Sequence, residues 1–541
     1  MYVFVRFMRH FSIILLFVIA SPLLFAQGSF SGGLELNSEF YQRDTSIGAS
    51  NTPHYNNLLS STDAWLNLDY RNYKHQLEAG IRLDVFNNSN LHDPGTPYTA
   101  LGIGRFYLRK TFNNLTITGG YFYDQFGSGI TFRSYQDRAL GIDNATLGLH
   151  LEYDFLKNWT VKAFTGMQKN RLKPFRSFVS LYNPIIKGLN AEGSITLSED
   201  ISLLPGGSVV NRTLDQNSMN FIVNTIESYD EEDRFVPKYN TFAYSLYNRL
   251  NIGNVSWYIE GARKTSEAIY NADQKLVNRP GSVVYSTLTY SQRGLGAGLK
   301  FKRTEDFVFR TSPNEKLLDG MISYVPPVSK QNSLRLPARY VAATQELEEL
   351  AGSGNITYTP KKGYTINAAY SEVRAFDYEE LFREIYADLE LNTSRKWKGL
   401  IGGQYIDYDQ VFYEGKGASM VHAFSPFLEF NYNIDRRKSI RMEFQQQFTE
   451  QDYGDWVYGL VEFSIAPYFT VSVSDMYNYD PNPPTSTEKQ HYYSFTTSFV
   501  YQRHRLSLSY TKQVEGVICT GGVCRYEPAF NGFKLRLTSS F

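Results

Sequence analysis

Arg505-Leu-Ser-Leu-Ser-Tyr-Thr-Lys-Gln-Val514 and, after a loop, Phe533-Lys-Leu-Arg-Leu-Thr-Ser-Ser-Phe541 are the stretches whose reading decides the fold. An extended backbone sends successive side chains to opposite faces. Leu506, Leu508, Tyr510 and Lys512 therefore share one side, and Arg505, Ser507, Ser509, Thr511 and Gln513 the other. Phe533, Leu535, Leu537 and the terminal Phe541 line up in the same way. Both stretches read as strands with one apolar face. Chain ends are usually frayed and polar, so an apolar row finished by a bare Phe needs something to cover it. A closed membrane barrel provides that cover: its last strand pairs with its first, and lipid meets the outward side chains. The alternative is a C-terminal edge strand of a soluble sandwich.

The row Phe533, Leu535, Leu537 and Phe541, broken only by Ser539, resembles the signal that outer-membrane barrels present to their insertion machinery. The start of the chain agrees in compartment. Arg6, Arg9 and His10 form a positive region, residues 11–25 are mostly apolar with Pro22 inside, and Leu24-Phe25-Ala26 ends on a small residue. This is the pattern of an export signal, with cleavage expected after Ala26 and no Cys following for lipoprotein processing. Domain organisation is then a leader over residues 1–26 and one barrel over 27–541. Beyond the leader no run of roughly eighteen apolar residues occurs, which excludes an ordinary helical membrane protein.

Composition fits the same class. The chain has 541 residues with 41 Tyr and 38 Phe, so its apolar excess is aromatic rather than aliphatic. Barrels need this, because half of each strand faces water and aromatic rings gather in girdles at the two interfaces. Removing Arg6 and Arg9 with the leader leaves 52 Lys and Arg against 54 Asp and Glu, a net charge of about −2. With no basic field, nucleic acid is excluded as an expected partner. The partners expected are outer-membrane lipid, the barrel-insertion machinery, and polar solutes or envelope proteins.

The mature chain begins at once with a strand pattern, Leu34, Leu36 and Phe40 against Glu35, Asn37 and Glu39, leaving no N-terminal plug domain. The clearest alternation sets Leu77, Ala79, Ile81, Leu83 and Val85 against Gln76, Glu78, Gly80, Arg82 and Asp84. So charged a face cannot be a sandwich core, but it can line a lumen. By the same alternation His150 and Glu152 point inward. Short polar turns are expected near Tyr73 and at Asn113-Asn114, Lys157-Asn158, Glu199-Asp200, Gly253-Asn254, Arg293-Gly294, Lys361-Lys362, Ser394-Arg395, Asp435-Arg436-Arg437, Pro467 and Arg503-His504. Longer connections lie between them, among them 87–100, 127–143, 170–186, 214–238, 304–353 and 516–528. Turns belong at the periplasmic rim and long loops outside. The expectation is an all-β, antiparallel, up-and-down transmembrane barrel of about 24 strands, within 18 to 26.

One loop carries helix-forming sequence. Pro337-Ala-Arg-Tyr-Val-Ala-Ala-Thr-Gln-Glu-Leu-Glu-Glu-Leu-Ala-Gly352 has Pro near its start and Gly at its end, and predicts a helix of about three turns. Such a helix could narrow the lumen, stand outside as a docking element, or pack on the rim. Little points to catalysis. His150 beside Glu152 is the one candidate base, and a polar lumen residue explains it as well. No cofactor or metal site is expected. Cys519 and Cys524, the only cysteines, sit in one short loop of an exported protein, where a local disulfide is expected. Two free thiols are the alternative, and no His or carboxylate cluster flanks them to complete a metal site.

The Cys519-Thr-Gly-Gly-Val-Cys524-Arg525 loop before Glu527-Pro528, the closing Leu537-Thr-Ser-Ser-Phe541, Gly127-Ser-Gly-Ile130 and Asp143-Asn144 together resemble a family of large outer-membrane β-barrel proteins of Gram-negative envelopes without a firmly assigned activity. The resemblance implies location in the outer membrane of a Gram-negative bacterium and barrel architecture, and it carries no catalytic residues. A large barrel with a mixed-charge inner wall suggests a porin-like channel for polar solutes. The alternative is a non-conducting barrel acting as scaffold or surface receptor in an envelope complex.

Overall fold

The computed structural model describes residues 28–175, 183–415, 420–483 and 488–541. The leader expected over residues 1–26 lies outside the described residues. From Gly28 onward, alternating sequence becomes one antiparallel sheet of 24 strands that closes on itself. Ile185–Gly193 and Ile195–Ser198 are two parts of a single strand, both laid against Ile201–Thr213. Each of the eleven expected short turns joins two neighbouring strands, on one rim. Where the turn is two residues long, a positive φ matches the twist of the flanking strands, at Asn113 (50°) and Gly294 (83°) for example.

The seam is made by the stretches that opened the sequence analysis. Gly28–Tyr41 pairs with Phe530–Ser540 from Gly33↔Ser540 to Tyr41↔Gly532. Leu537 stands between Leu36 and Leu506, and Phe533 between Phe40 and Tyr510, so the apolar row continues across the closure. The backbone of Phe541 exchanges hydrogen bonds with Gly32, and its ring lies over that glycine: a Cβ there would come within 2.2 Å of the ring.

Outward positions are apolar around the ring, with Leu246, Leu299, Ile401, Val461 and Phe495 all exposed. Among the described residues no helix is long and apolar enough to cross a membrane.

One expectation needs correction. No helix forms over 337–352: residues 337–347 are irregular, and the strand Glu348–Lys361 begins inside the helix-like stretch. Glu349, Ala351 and Ser353 are needed on the inner face, in register with Thr304, Lys302 and Lys300. Completing the ladder outweighs a local helix preference of a few tenths of a kcal/mol per residue. The loop helix occurs instead at Gln216–Glu227, where the Asp215 side chain caps the Ser218 amide and Met219, Ile222 and Ile226 are buried on one side.

Candidate functional site

The longest loop, residues 306–347, turns into the lumen, so its backbone groups must find partners away from water. The inner wall and the inward 123–145 loop supply them on opposite sides of the lumen. On one side Arg133 N donates to Ile322 O (2.9 Å), while Asn144 Nδ2 (3.1 Å) and Gln168 Nε2 (2.6 Å) donate to Met321 O. On the other, Leu336 N donates to Gln445 Oε1 (2.7 Å), Gln447 Nε2 donates to Leu336 O (3.2 Å) and Asn332 Nδ2 to Glu384 Oε1 (2.9 Å). At the root of the loop Lys302 Nζ pairs with Glu349 Oε1 (2.7 Å) and donates to Pro326 O (3.0 Å).

The inner wall is consequently not polar throughout. Toward the long-loop rim, Phe164, Ile186, Val210 and Val283 of the wall meet Phe126 and Phe132 of the 123–145 loop and Phe307, Phe309 and Ile322 of the long loop. Leu336 packs on Trp456 and Met476 across the lumen. Each such side chain gains roughly 1.5–3 kcal/mol on burial, so this half of the lumen is a packed core.

Several residues expected to line the lumen hold these loops. Arg82 Nε and Nη2 donate to Asp84 (2.6 and 2.9 Å), and Arg82 Nη2 reaches Asp143 Oδ2 of the 123–145 loop (2.5 Å). Lys169 Nζ donates to the same Asp143 oxygen (2.5 Å), and Tyr123 OH to its other one (2.7 Å). Two cations and two carboxylates, nearly all shut off from water, neutralise one another; leaving out one would strand the others. Burial by itself would push the Asp143 carboxyl up, but the charges of Lys169 and Arg82 outweigh it and hold it below the usual carboxylate range.

His150 Nε2 lies 2.8 Å from Asp124 Oδ2, whose other oxygen accepts from Lys162 Nζ (3.1 Å). The nearby Ser134 hydroxyl accepts from the Asp124 backbone amide rather than facing the imidazole, so this is a structural pair without an assembled nucleophile. Glu78 pairs with Arg71 near the short-turn rim (2.9 Å), and Glu152 stands in register with Lys162. Phe533, Leu535, Leu537 and Phe541 are at the seam, remote from these clusters. Among the described residues no group of His, Cys, Asp or Glu has the makings of a metal site.

Cys519 and Cys524 are joined by a disulfide across the ribbon Gly516–Thr520 and Val523–Glu527. The tip of that ribbon rests on the long loop: Tyr324 OH donates to Gly521 O (2.8 Å) and Thr344 N to Gly522 O (3.0 Å). Gly522 has φ +78° and its missing Cβ would lie 2.5 Å from Thr344 Oγ1, so the close approach requires glycine. The Arg133 guanidinium also lies over the rings of both Tyr324 (4.0 Å) and Tyr135 (4.2 Å). Neither Tyr324 nor the Gly521-Gly522 contact was legible as a site; the Gly-Gly pair inside the cysteine loop was the available signal.

Below the loops, toward the short turns, lies a cavity of about 660 Å³ reaching from Asn158 to Tyr324 and Pro326.

The chain is similar in structure to the translocation pore of the P pilus usher PapC, at TM-score 0.42 and 10% identity, covering 94% of this chain and 99% of that one. The siderophore receptor PirA of Pseudomonas aeruginosa gives TM-score 0.43 and 7% identity, covering 95% and 80%. OccAB3 of Acinetobacter baumannii gives 0.33 and 8%, covering 66% and 92%. No curated protein matches the sequence. Over residues 7–541 the sequence matches one family, and the chain belongs to it: the family of unknown function DUF6029.

Proposed function

We propose that this protein is an integral outer-membrane barrel of a Gram-negative bacterium that is closed at rest and acts as a surface receptor or scaffold in an envelope complex. The observation that carries this reading is the long loop 306–347, bonded through Gln168 and Gln445 to opposite sides of the wall and packed in an apolar core. In this reading residues 1–26 direct export and are removed after Ala26. The Phe533, Leu535, Leu537 and Phe541 row is read by the insertion machinery, the short turns face the periplasm, and the long loops face outward. Glu78, Arg82, Asp84, His150 and Glu152 face the lumen, where Arg82 and Asp84 anchor a loop rather than contact a solute.

A porin-like channel for polar solutes is the second reading, and one observation favours it. Glu305 and Glu348, at the two ends of the long loop, are paired neighbours in the ladder, so the loop can leave the lumen without opening the wall. Single-channel conductance of the detergent-folded protein in a planar bilayer separates the two. The intact protein is expected to be silent, and a variant with residues 308–345 replaced by a short Gly-Ser turn is expected to show steady steps. Steps from the intact protein would overturn the closed-barrel reading.

A further inference from the structure

The cavity beneath the loops has the make-up of a ligand site. Its wall carries a row of aromatic rings on adjacent strands: Tyr247 and Tyr258 have centroids 6.4 Å apart, and Tyr258 and Tyr285 6.3 Å. Tyr324 and Pro326 of the long loop roof it, with Gln125 and Ser128 of the 123–145 loop. The roof is fixed: Ser128 N (2.9 Å) and Oγ (2.6 Å) both donate to Glu260 Oε2, which also accepts from Tyr258 OH (2.6 Å). Tyr247 is fixed too. Its hydroxyl donates to Asn190 Oδ1 (2.8 Å) and Glu192 Oε2 (3.0 Å), and its ring lies on Gly206, where a Cβ would meet it at 2.2 Å. Packed between Gly206 of the wall and Gly127 of the 123–145 loop, the ring is buried and braces the neighbouring Tyr258.

One charged group at this site is uncommitted. Arg249 lies over the Tyr258 ring (5.5 Å to the centroid) but makes no ion pair or hydrogen bond among the described residues. Its guanidinium therefore keeps a planar set of donors, beside the Tyr258 ring, for an incoming carboxylate.

The chemistry narrows the ligand class. Leu204 and Pro326 are the only aliphatic liners, too few for an acyl chain. A single free cation beside the Glu192 carboxylate does not suit a polyphosphate or nucleic acid. A peptide in extended form binds best by extending a sheet, and a closed barrel has no free edge to extend. Aromatic faces flanked by hydroxyls, amides and one guanidinium suit sugar rings that carry an occasional carboxylate. A cavity of about 660 Å³ is of the size that holds a small ligand.

We propose that this cavity binds a short segment of a carboxylate-bearing oligosaccharide, with Arg249 on the carboxylate and Tyr258 and Tyr324 against the sugar rings. The proposal does not depend on whether the lumen conducts, so its failure and that of the closed-barrel reading are distinguishable. The experiment is calorimetric titration of the full, detergent-folded chain with four probes: a uronic-acid tetramer, a muramic-acid-containing peptidoglycan fragment, a neutral N-acetylglucosamine tetramer, and an acidic peptide. Saturable binding of at least one acidic saccharide is expected, and the stronger of the two identifies the source as exported polysaccharide or cell wall. Arg249→Gln is expected to weaken the acidic saccharide by about tenfold and leave the neutral one unchanged. Tyr258→Ala is expected to weaken both, with heat-modifiability checking that each variant forms the barrel. Absence of saturable binding by either acidic saccharide would overturn the proposal. So would sugar binding that both substitutions leave unchanged, or saturation by an acidic peptide in place of the sugars.

Discussion

Asp143→Asn tests how the inward loops are held. The Arg82, Asp84, Asp143 and Lys169 side chains are each at most 2% exposed, and their two positive and two negative charges cancel. Asparagine keeps the shape and leaves two cations facing one carboxylate. Removing one member of such a buried set costs about 3–5 kcal/mol. At about 1.4 kcal/mol per tenfold, release of the 123–145 loop becomes roughly a hundred to a few thousand times more populated. The barrel ladder itself is untouched. Hydrogen–deuterium exchange read by mass spectrometry checks this on the amides of Ser134, Tyr135 and Asn144, which are bonded within the loop. Their exchange is expected to accelerate strongly while the neighbouring strand Thr146–Leu156 stays protected. Unchanged exchange, or equal loss of protection in that strand, would refute the role given to the cluster. Asp143→Asn with Lys169→Met restores charge balance and is expected to recover most of the protection. The pH dependence has a fixed sign. Asp143 is held below its unfolded value by Lys169 and Arg82 against the effect of burial, so its contribution is fully present above about pH 4 and is lost as pH falls through the depressed folded value. The native loop should loosen only in that acid window, and Asp143→Asn should flatten the response.

Four further outcomes follow from the same geometry. Leu299→Arg, on the outward face about half-way up its strand, is expected to lower stability in lipid by about 2–4 kcal/mol, whereas Ser353→Arg on the inner face is tolerated; refolding titrations into vesicles compare them. Phe309→Ala, at a fully buried loop position, should cost about 3–5 kcal/mol of loop seating and appear as faster exchange of residues 306–347 in an intact barrel. Deleting Phe541 removes the ring that covers Gly32 and should lower the amount of heat-modifiable barrel in the outer membrane; an unchanged amount would count against its role at the seam. Cys519 and Cys524 should resist thiol labelling until reduced, and Cys519→Ser with Cys524→Ser should loosen the long loop around Tyr324 and Thr344, seen as new cleavage there by an added protease.

What was legible in the sequence was whatever repeats locally. Strand alternation and a two-residue turn such as Asn113-Asn114 or Arg293-Gly294 are decided within a few residues, and the number of turns then gives 24 strands. The helix at Gln216–Glu227 is legible in the same sense, through Asp215 as its cap and Met219, Ile222 and Ile226 at helical spacing, although the strand rhythm marks 214–238 only as a longer connection. The helix expected over 337–352 fails for the opposite reason. Its propensity is local, whereas the inward side chains of Glu349 and Ala351 answer to Lys302 and Thr304 some 45 residues earlier, in the register of the ladder.

The filling of the lumen was illegible for a related reason. Gln445, Gln447 and Gln168 are unremarkable polar residues on an inner face until a loop from elsewhere in the chain presents its backbone to them. A polar inner wall has two physical uses, to hold water or to satisfy a buried loop, and the strand pattern is the same for both. What separates them lies in the loop: Phe307, Phe309, Ile322 and Leu336 are too apolar for a segment that stays in water, and once buried they oblige the wall opposite to supply hydrogen bonds for the backbone between them. Apolar residues spaced through a long loop of a barrel sequence therefore point to an occupied lumen, even where every strand by itself reads as the lining of an open one.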